Sequence, residues 1–340
     1  MLKNGIKEWA PDDLKKKMKK VVLQLSSPQM ACEMTSQQLA ATIVGDSISA
    51  MLKFSGVECY QMDTVINCGC EGDSNENQKQ VFSLIQEFSR KEFDAVYRRL
   101  GIAVTKRNYK FYMKHFRSAY DELKGHGMIK AAGSRIGLIN GKKLLLLKGT
   151  DGNCTTVAAD LSALRYNLVV ENPGWIIYVG DKLHLELYKS YFNIAKCVGW
   201  LPDDGKPTAK LDYVGLDVMD AEIPSVFSLL DGIKNRFKEI LTGRGLPEEK
   251  REKVAEILAS GGLKYAILQN RRDENCIDDI LQEQGDNAFY IQGLYVRTCQ
   301  DISESGLNIQ DMNKDCKVIC LQKLSKDVCF NQVGLSLSPS

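Results

Sequence analysis

Residues 21–46, VVLQLSSPQMACEMTSQQLAATIVGD, decide the fold that this sequence predicts. The apolar run VVLQL at 21–25 is typical of a buried strand, SSPQ then forms a turn, and apolar residues recur at helical spacing from Leu39 onward. SG at 55–56 can end this helix, and VECYQM at 57–62 predicts a second strand. A strand, a helix and a strand in this order form a βαβ unit, so we expect a parallel sheet.

The turn between this strand and its helix lies where α/β proteins bind ligands, yet it lacks the groups that usually bind them. The segment from Cys32 to Gln38 contains no histidine, lysine or glycine. TSQQ at 35–38 instead suits a helix start, in which Thr35 or Ser36 is the N-cap and one of the two glutamines completes a capping box. The sequence therefore predicts an ordinary helix start at this corner.

Composition and charge are those of an ordinary globular protein. The 340 residues are 44% hydrophobic and 26% charged, with a net charge of +2, so no overall positive field favours nucleic-acid binding. The basic run KKKMKK at 15–20 is interpreted as a solvated helix face. The sequence has no run of 18 apolar residues that would predict a membrane span, so we expect no membrane partner. It does not open with an apolar leader, so we expect a cytoplasmic location.

Eleven cysteines are scattered through the sequence without a CxxC pair. Zinc sites usually have paired ligands at short spacing, so Cys68-Gly69-Cys70 is at best a fragment of one. Free thiols in a reducing compartment explain the cysteines better, and we expect no metal ion.

The pattern of predicted elements divides the chain into three parts. Residues 1–20 form a basic N-terminal segment, residues 21–241 a Rossmann-type core, and residues 242–340 a helical region. Within the core, amphipathic helices predict a helical insert at about 76–128, and short strands are expected at 127–148. Strands and helices then alternate again. The predicted class is α/β, with a Rossmann-type parallel sheet of the nucleotide-binding kind, a helical insert and an all-α end.

Several segments, taken in order, are similar to those of one known family. They are VVLQLSSPQMACEM with LAATIVGDSISAMLKFSGVE, EFSRKEFDAVYRRLGIAV, LKGTDGNCTTVAADLSALRYNL, WIIYVG with FNIAKCVGWLPDDG, GLKYAILQNRR and GDNAFYIQGLYVRTC. From about residue 20 to about residue 302 the sequence resembles, in register, the catalytic core of class I arginyl-tRNA synthetases of the eukaryotic cytosolic type. The resemblance implies a core that activates arginine with ATP and transfers it to tRNA.

The resemblance also implies where ATP would bind, and the matching residues are changed. The family's His-x-Gly-His signature corresponds to 35–38, which here reads Thr-Ser-Gln-Gln. Its adenosine-side motif corresponds to DTVINCGC at 63–70, in which Gly69 is kept and key members are replaced. Gln37, Gln38 and Gly69 are therefore a candidate vestigial ATP site, where neutral amides stand in place of imidazoles.

The basic loop that the resemblance implies as a second phosphate donor is missing. It should follow YVGLDVM, but no lysine or arginine lies between Lys210 and Lys234. Carboxylates close to a triphosphate oppose its binding. The interval instead carries Asp212, Asp217, Asp220, Glu222 and Asp231.

The arginine pocket that the resemblance implies is partly kept. Gln29 replaces an asparagine, and Thr156 replaces a tyrosine that pairs with an aspartate one helical turn later. That aspartate is present as Asp160, which could bind a guanidinium or be a solvated helix residue. His184 lies near the place of a lost glutamine-rich turn. Gln29, Asp160 and His184 are the candidate vestigial arginine site, and we assign no catalytic residue.

The losses are concentrated at ligand-binding positions, whereas core positions follow the family pattern. We therefore expect a catalytically inactive relative, a pseudo-synthetase without a cofactor, that acts as a protein- or RNA-binding or regulatory module. Its partner would be tRNA, an active synthetase or another protein. The alternative is an active arginine–tRNA ligase that uses ATP and relies on Gln37, Gln38 and lysines such as Lys206 or Lys210. A third hypothesis is a decaying duplicate with no selected role.

The end of the chain carries one further expectation. About forty residues follow the last segment that resembles the family, too few for its anticodon-binding helices, so a truncated domain is expected. Apolar surface at AFYIQGLYV, residues 288–296, would then be left uncovered.

Overall fold

The computed structural model describes residues 20–25, 33–65, 76–141, 143–201, 209–217, 225–269, 280–281 and 287–305. The predicted N-terminal basic segment lies almost entirely outside these residues, as does most of the chain after 268 apart from one helix.

A parallel sheet of five strands forms the centre of the structure. In spatial order the strands are β3 (Thr105–Asn108), β2 (Glu58–Val65), β1 (Lys20–Leu25), β7 (Trp175–Asp181) and β8 (Lys210–Leu216). Residues 21–25 are all buried because β1 is covered on both faces, which explains why this strand is continuously apolar. The predicted α/β class with a Rossmann-type parallel sheet is confirmed.

The order of the strands reverses beside β1. Helix α1 (Ser36–Phe54) connects β1 to β2, and the chain then moves outward to β3. It later returns to the other side of β1 with β7 and β8. Ligands of such sheets bind in the crevice at this switch point, outside the carboxyl ends of the strands.

Helices and a second sheet are inserted between β2 and β7. Helix α2 (Glu76–Arg99) precedes β3, and α3 (Tyr109–Met113) and α4 (Phe116–Gly125) follow it. Because β3 pairs with β2, the helical segment predicted at about 76–128 includes a strand of the core sheet. The domain boundaries stay a prediction. The strands expected at 127–148 are confirmed as an antiparallel sheet of β4 (Ile129–Ala132), β5 (Arg135–Asn140) and β6 (Lys143–Lys148).

The remaining helices cover the sheet and form the helical end of the described chain. They are α5 (Thr156–Arg165), a π-helix (Tyr166–Glu171), a 3-10 turn (Lys182–His184), α6 (Leu185–Cys197), α7 (Val226–Gly243), α8 (Glu248–Leu268) and α9 (Ala288–Glu304). The apolar surface expected at 288–296 is exposed only in part, since Tyr295 is 70% and Val296 54% exposed, whereas Ala288 is buried and Phe289 packs against the core.

Alternate strand residues face two apolar layers. Val22 and Tyr178 pack on one face with α4, α5 and α6, whereas Leu23 and Val179 pack on the other face with α1. The far side of α1 is covered in turn by α2, α7 and α8. Helix α1 is therefore buried between the sheet and the helical end of the chain.

Gly45 permits the close approach of α1 to the sheet. A Cβ atom added to Gly45 would lie 2.2 Å from Cδ2 of Leu25 and 3.2 Å from Cδ2 of Leu23. Both leucines are buried in β1, so neither side chain can move away without disturbing its neighbours.

We expect Gly45→Ala to lower the free energy of unfolding by about 1 to 3 kcal/mol, because the added methyl group overpacks this contact. Urea denaturation followed by circular dichroism measures the change. Gly232→Ala in α7 is the matched control, since nothing lies within 4 Å of its added Cβ atom. That change should stabilise the protein by up to about 1 kcal/mol through helix propensity. Equal effects of the two substitutions would contradict the close contact at Gly45.

Candidate ligand-binding site at the carboxyl ends of the strands

The candidate site lies where β1, β7 and β8 end and α1 begins. Nε2 of Gln37 donates a hydrogen bond of 3.2 Å to the carbonyl oxygen of Leu216, the last residue of β8. The hydroxyl of Tyr213 donates one of 2.6 Å to the carbonyl oxygen of Asp181, at the end of β7. These two bonds hold the first turn of α1 and the ends of the strands in place.

A capping box starts α1. The backbone N–H of Gln38 donates to Oγ1 of Thr35 over 3.2 Å, and Oε1 of Gln38 accepts from the backbone N–H of Thr35 over 2.9 Å. The predicted capping box is therefore confirmed, with Thr35 as the N-cap. The side chains of both glutamines at this corner thus bond to the protein itself.

Lysines of β8 and of the turn after β7 are paired with carboxylates. Nζ of Lys182 lies 2.7 Å from Oδ1 of Asp217, just beyond the end of β8. Lys210 pairs with Asp212 over 2.6 Å and lies over the ring of Trp175. It is the first residue of β8, which places it about 20 Å from the carboxyl end of that strand. Lys210 is therefore not at the candidate site, and Lys206 lies outside the described residues.

Asp160 in α5 lies beside an aromatic cluster contributed by three other elements. The hydroxyl of Tyr191 in α6 donates a hydrogen bond of 3.3 Å to Oδ2 of Asp160. The ring centroids of Tyr178 in β7 and Tyr188 in α6 are 4.7 Å apart, and the same distance separates Tyr188 from Tyr213 in β8. A carboxylate beside aromatic rings is suited to binding a guanidinium or ammonium group.

Burial raises the pKa of Asp160 to about 7, and the hydrogen bond from Tyr191 only partly offsets this effect. Burial, followed by the nearby charge of Asp160, raises the pKa of Tyr178, Tyr188 and Tyr191. Asp160 is half-buried, so the alternative of an ordinary solvated residue does not fit its position. Because a bound cation favours the ionised carboxylate, ligand binding here would release a proton near neutral pH.

The other predicted arginine-site residues do not join this cluster. His184 is exposed before α6 and makes no capping hydrogen bond through its side chain. Thr156, one turn before Asp160, is exposed. Within the described ranges, no hydrogen bond or ion pair connects His184 with Asp160. Gln29 and Gly69 lie outside the described residues.

Sequence reasoning missed the tyrosines around Asp160. The segments that contain Tyr178, Tyr188 and Tyr191 were interpreted only as a strand and a helix. The available signal was the spacing of Tyr188 and Tyr191, which puts two aromatic side chains on one face of α6.

Asp63 in β2 is a buried carboxylate that belongs to the core. It is 1% exposed, and the hydroxyl of Tyr97 in α2 donates to its Oδ2 over 3.0 Å. Its Oδ1 has no hydrogen-bond partner among the described residues. Burial raises the pKa of Asp63 to about 6. This residue of the altered adenosine-side motif thus attaches α2 to the main sheet.

Three further findings concern the described residues alone. The described residues contain no group of three or more histidine, cysteine, aspartate or glutamate side chains that could hold a metal ion. None of the described helices is long and apolar enough to cross a membrane. Cys59, Cys154, Cys197 and Cys299 are free thiols.

The sequence matches the family described as tRNA synthetases class I (R), catalytic domain, over residues 6–71 and 70–280. The cytoplasmic arginine–tRNA ligase of Arabidopsis thaliana is 29% identical over 392 aligned residues, which cover 94% of this chain and 66% of the relative. The chloroplastic/mitochondrial arginine–tRNA ligase of that plant is 28% identical, with coverage of 94% and 61%. The chain thus spans slightly less than two thirds of the length of these relatives.

Solved structures show the same fold. Arginyl-tRNA synthetase from Plasmodium falciparum superposes with a TM-score of 0.74 at 24% identity, covering 88% of this chain and 61% of that one. The Thermus thermophilus arginyl-tRNA synthetase gives a TM-score of 0.65 at 13% identity, with coverage of 85% and 65%. At these identities the likeness concerns the architecture.

Asp160→Asn should stabilise the protein at neutral and higher pH. The folded-state pKa of about 7 exceeds the usual 3.8, so the folded protein binds more protons than the unfolded chain between these values. Stability is therefore lost as pH rises from about 4 to about 7. The variant should match the wild type near pH 4 and exceed it by about 1 to 3 kcal/mol near pH 8. Urea unfolding across this pH range measures the difference.

Tyr191→Phe is the companion variant. It removes the hydrogen bond that favours the ionised carboxylate, so the loss of stability should continue to a higher pH than in the wild type. Identical pH profiles for wild type and Asp160→Asn would contradict the raised pKa of Asp160.

Proposed function

Because the chain belongs to the class I tRNA synthetase family of the arginine type, whose catalytic-domain model it matches over most of its length, we propose that it is a catalytically inactive member. Its proposed ligands are arginine, bound through Asp160, and tRNA, which the names of its relatives imply. Its proposed role is that of a binding or regulatory module in the cytoplasm, with an active synthetase or another protein as the further candidate partner.

The observation that carries the proposal is that the side chains at the start of α1 form hydrogen bonds within the protein itself. Activation of an amino acid by ATP is an attack on the α-phosphate, and the transition state needs positioned donors and positive charge. Thr35 and Gln38 bond to each other, and Gln37 bonds to the carbonyl oxygen of Leu216. A neutral corner whose side chains bond to the protein supports ligand binding without activation.

Charge at the end of β8 supports the same proposal. A triphosphate there would compete with Asp217 for Lys182 and would be repelled by that carboxylate. Two unit charges 4 Å apart interact by about 1 kcal/mol in water and about 4 kcal/mol near a protein surface. This repulsion opposes ATP binding, whereas the family's implied basic loop would favour it.

Asp160 supports the retention of a cation site. A half-buried carboxylate with a pKa near 7 lowers the stability of the folded protein at neutral pH. Such groups are concentrated at functional sites, where a ligand compensates their burial. Tyrosine rings next to a carboxylate favour a cation over a neutral ligand.

An active arginine–tRNA ligase is the alternative, and Asp160 is the observation that favours it. In that case Gln37 and Gln38 would have to exchange their present partners for phosphate oxygens. Lys210 could not assist them, because it lies at the amino end of β8.

Aminoacylation tests the proposal directly. Incubation of the purified protein with ATP, radiolabelled arginine and bulk tRNA should give no arginyl-tRNA above background, because the phosphate donors are missing. An active arginine–tRNA ligase assayed in parallel shows that the reagents are competent. Charging that Asp160→Ala abolishes would overturn the proposal in favour of the active enzyme.

Arginine binding is the second test. Arginine should raise the thermal stability more near pH 8 than near pH 5.5, since Asp160 must be ionised to hold the guanidinium. At a hundred times its dissociation constant the ligand adds about 2.7 kcal/mol to the free energy of unfolding. Citrulline is the control ligand, as it has nearly the same shape without the charge, and Asp160→Asn is the control variant. Equal shifts with arginine and citrulline would exclude Asp160 as the recognition group.

A further inference from the structure

The antiparallel sheet of β4, β5 and β6 has one buried face and one exposed face. Leu138 and Leu147 on the inner face are fully buried and pack with α4 and α5. On the other face, Ile139, Leu144 and Leu146 are 37%, 64% and 38% exposed. Ile139 is paired with Leu144, and residues directly opposite each other in neighbouring strands lie on the same side of the sheet. We call this side, which carries the three aliphatic side chains, the outer face.

Gly137 lets the apolar side chains of the outer face lie flat on the sheet. It is paired with Leu146 and therefore belongs to the same face. A Cβ atom added to Gly137 would lie 2.6 Å from Cδ1 of Leu144, so the side chain of Leu144 covers the glycine. Gly137 is buried beneath it. The outer face thus presents a continuous apolar surface, which marks an interaction site more strongly than single exposed residues do.

Basic residues are concentrated on the same sheet. Residues 123–150 contain six lysines and arginines and no aspartate or glutamate. Lys130 is paired with Gly137, and Arg135 lies two residues before Gly137 in β5, so both basic side chains belong to the outer face. Lys143 is the first residue of β6 at the edge of the sheet. All three are exposed, and none of them forms an ion pair with a described residue.

The acidic residues that flank the sheet do not neutralise it. Glu122 in α4 binds the guanidinium of Arg165 over 2.7 Å. Glu186 in α6 pairs with Lys189 over 2.7 Å, and Lys189 followed by the lysine that starts β6 lowers the pKa of Glu186. Asp151 in the turn after β6 is exposed and accepts a hydrogen bond from a backbone N–H of its own turn. The sheet and its flanks therefore keep an excess of positive charge.

We propose that the outer face docks the protein on an anionic lipid surface. The inference goes beyond the proposed function, because it involves neither Asp160 nor the glutamines of the corner. It departs from the expectation of no membrane partner, which considered only a spanning segment. A peripheral contact needs no span: apolar side chains enter the boundary between headgroups and acyl chains, and cations bind the anionic headgroups.

The side chains of the outer face favour lipid over the other anionic partners. Protein interfaces are enriched in aromatic residues and depleted of lysine, whereas the described residues of this face include no aromatic ring and its cations are mostly lysines. Sequence-tolerant binding of single-stranded nucleic acid uses aromatic rings on which bases stack. Leucine and isoleucine beside lysine and arginine instead match the two layers of an anionic membrane surface, which are acyl chains and charged headgroups.

Cosedimentation of the full chain with vesicles tests the proposal. The wild type should bind vesicles of phosphatidylcholine with phosphatidylserine, should not bind phosphatidylcholine alone, and should be released in part by salt. Lys130→Glu/Arg135→Glu should weaken binding by roughly 30-fold or more, because each basic residue near the surface contributes to the attraction. Leu144→Ser/Leu146→Ser should also weaken binding, since a contact with headgroups alone would not need these leucines. The four side chains are exposed, so the unfolding curves should stay close to that of the wild type.

The matched control is Lys250→Glu/Lys253→Glu on α8, which reverses the charge of two exposed lysines outside the sheet. This variant should bind the vesicles like the wild type. Three results would overturn the proposal: a wild type that binds no vesicle, equal weakening in the sheet and α8 charge variants, or a surface that binds bulk tRNA through Lys130 and Arg135 but no vesicle. The measurement does not depend on aminoacylation or arginine binding, so an active enzyme that docks on lipid through β4–β6 would overturn the proposed function alone.

Discussion

Burial of β1 on both faces is the constraint on which the rest of the structure depends. A central strand of a parallel sheet must be covered from each side, which is why VVLQL shows no alternation of apolar and polar residues. The cover on one side is α1, which has to start soon after the strand and lie close to it, and Gly45 makes that distance attainable. Since α2, α7 and α8 pack on the far side of α1, the helical end of the chain depends on the same corner. The corner would therefore persist whether or not a ligand binds there.

Folding and chemistry compete for the side chains at this corner. A good N-cap contributes about 1 kcal/mol to a helix, and the capping box of Thr35 and Gln38 satisfies two backbone N–H groups at the start of α1. A side chain that bonds to its own helix in this way is not directed at a phosphate. The resemblance assigns the same positions to histidines and a glycine, which would leave the helix start less well capped and the donors free. With Thr-Ser-Gln-Gln at these positions, the helix start is well capped and the donors are not free, which favours stability over phosphate binding.

The features that could be predicted from the sequence are those that depend on residues close together in the chain. The strands, α1 and the capping box depend on residues that are neighbours in the chain, so periodicity and four consecutive side chains were sufficient. The aromatic cluster depends on strand order, because Tyr178 and Tyr213 become neighbours only through the pairing of β7 with β8. Lys210 shows the same limitation. It is close in sequence to the implied phosphate loop, but the direction of β8 puts it at the opposite end of the sheet.

The two carboxylates with a raised pKa differ in what surrounds them. Asp63 is enclosed by the core and accepts a hydrogen bond from Tyr97, so its raised pKa is a consequence of how α2 attaches to the sheet. Burial also raises the pKa of Asp160, but this side chain is only half-buried and lies beside tyrosine rings. Asparagine could accept the same hydrogen bond from Tyr191 without the cost of a desolvated charge, so the fold alone gives no reason for an aspartate at this position. A cation that binds there would supply the reason, which is the role that the proposed arginine site gives to Asp160.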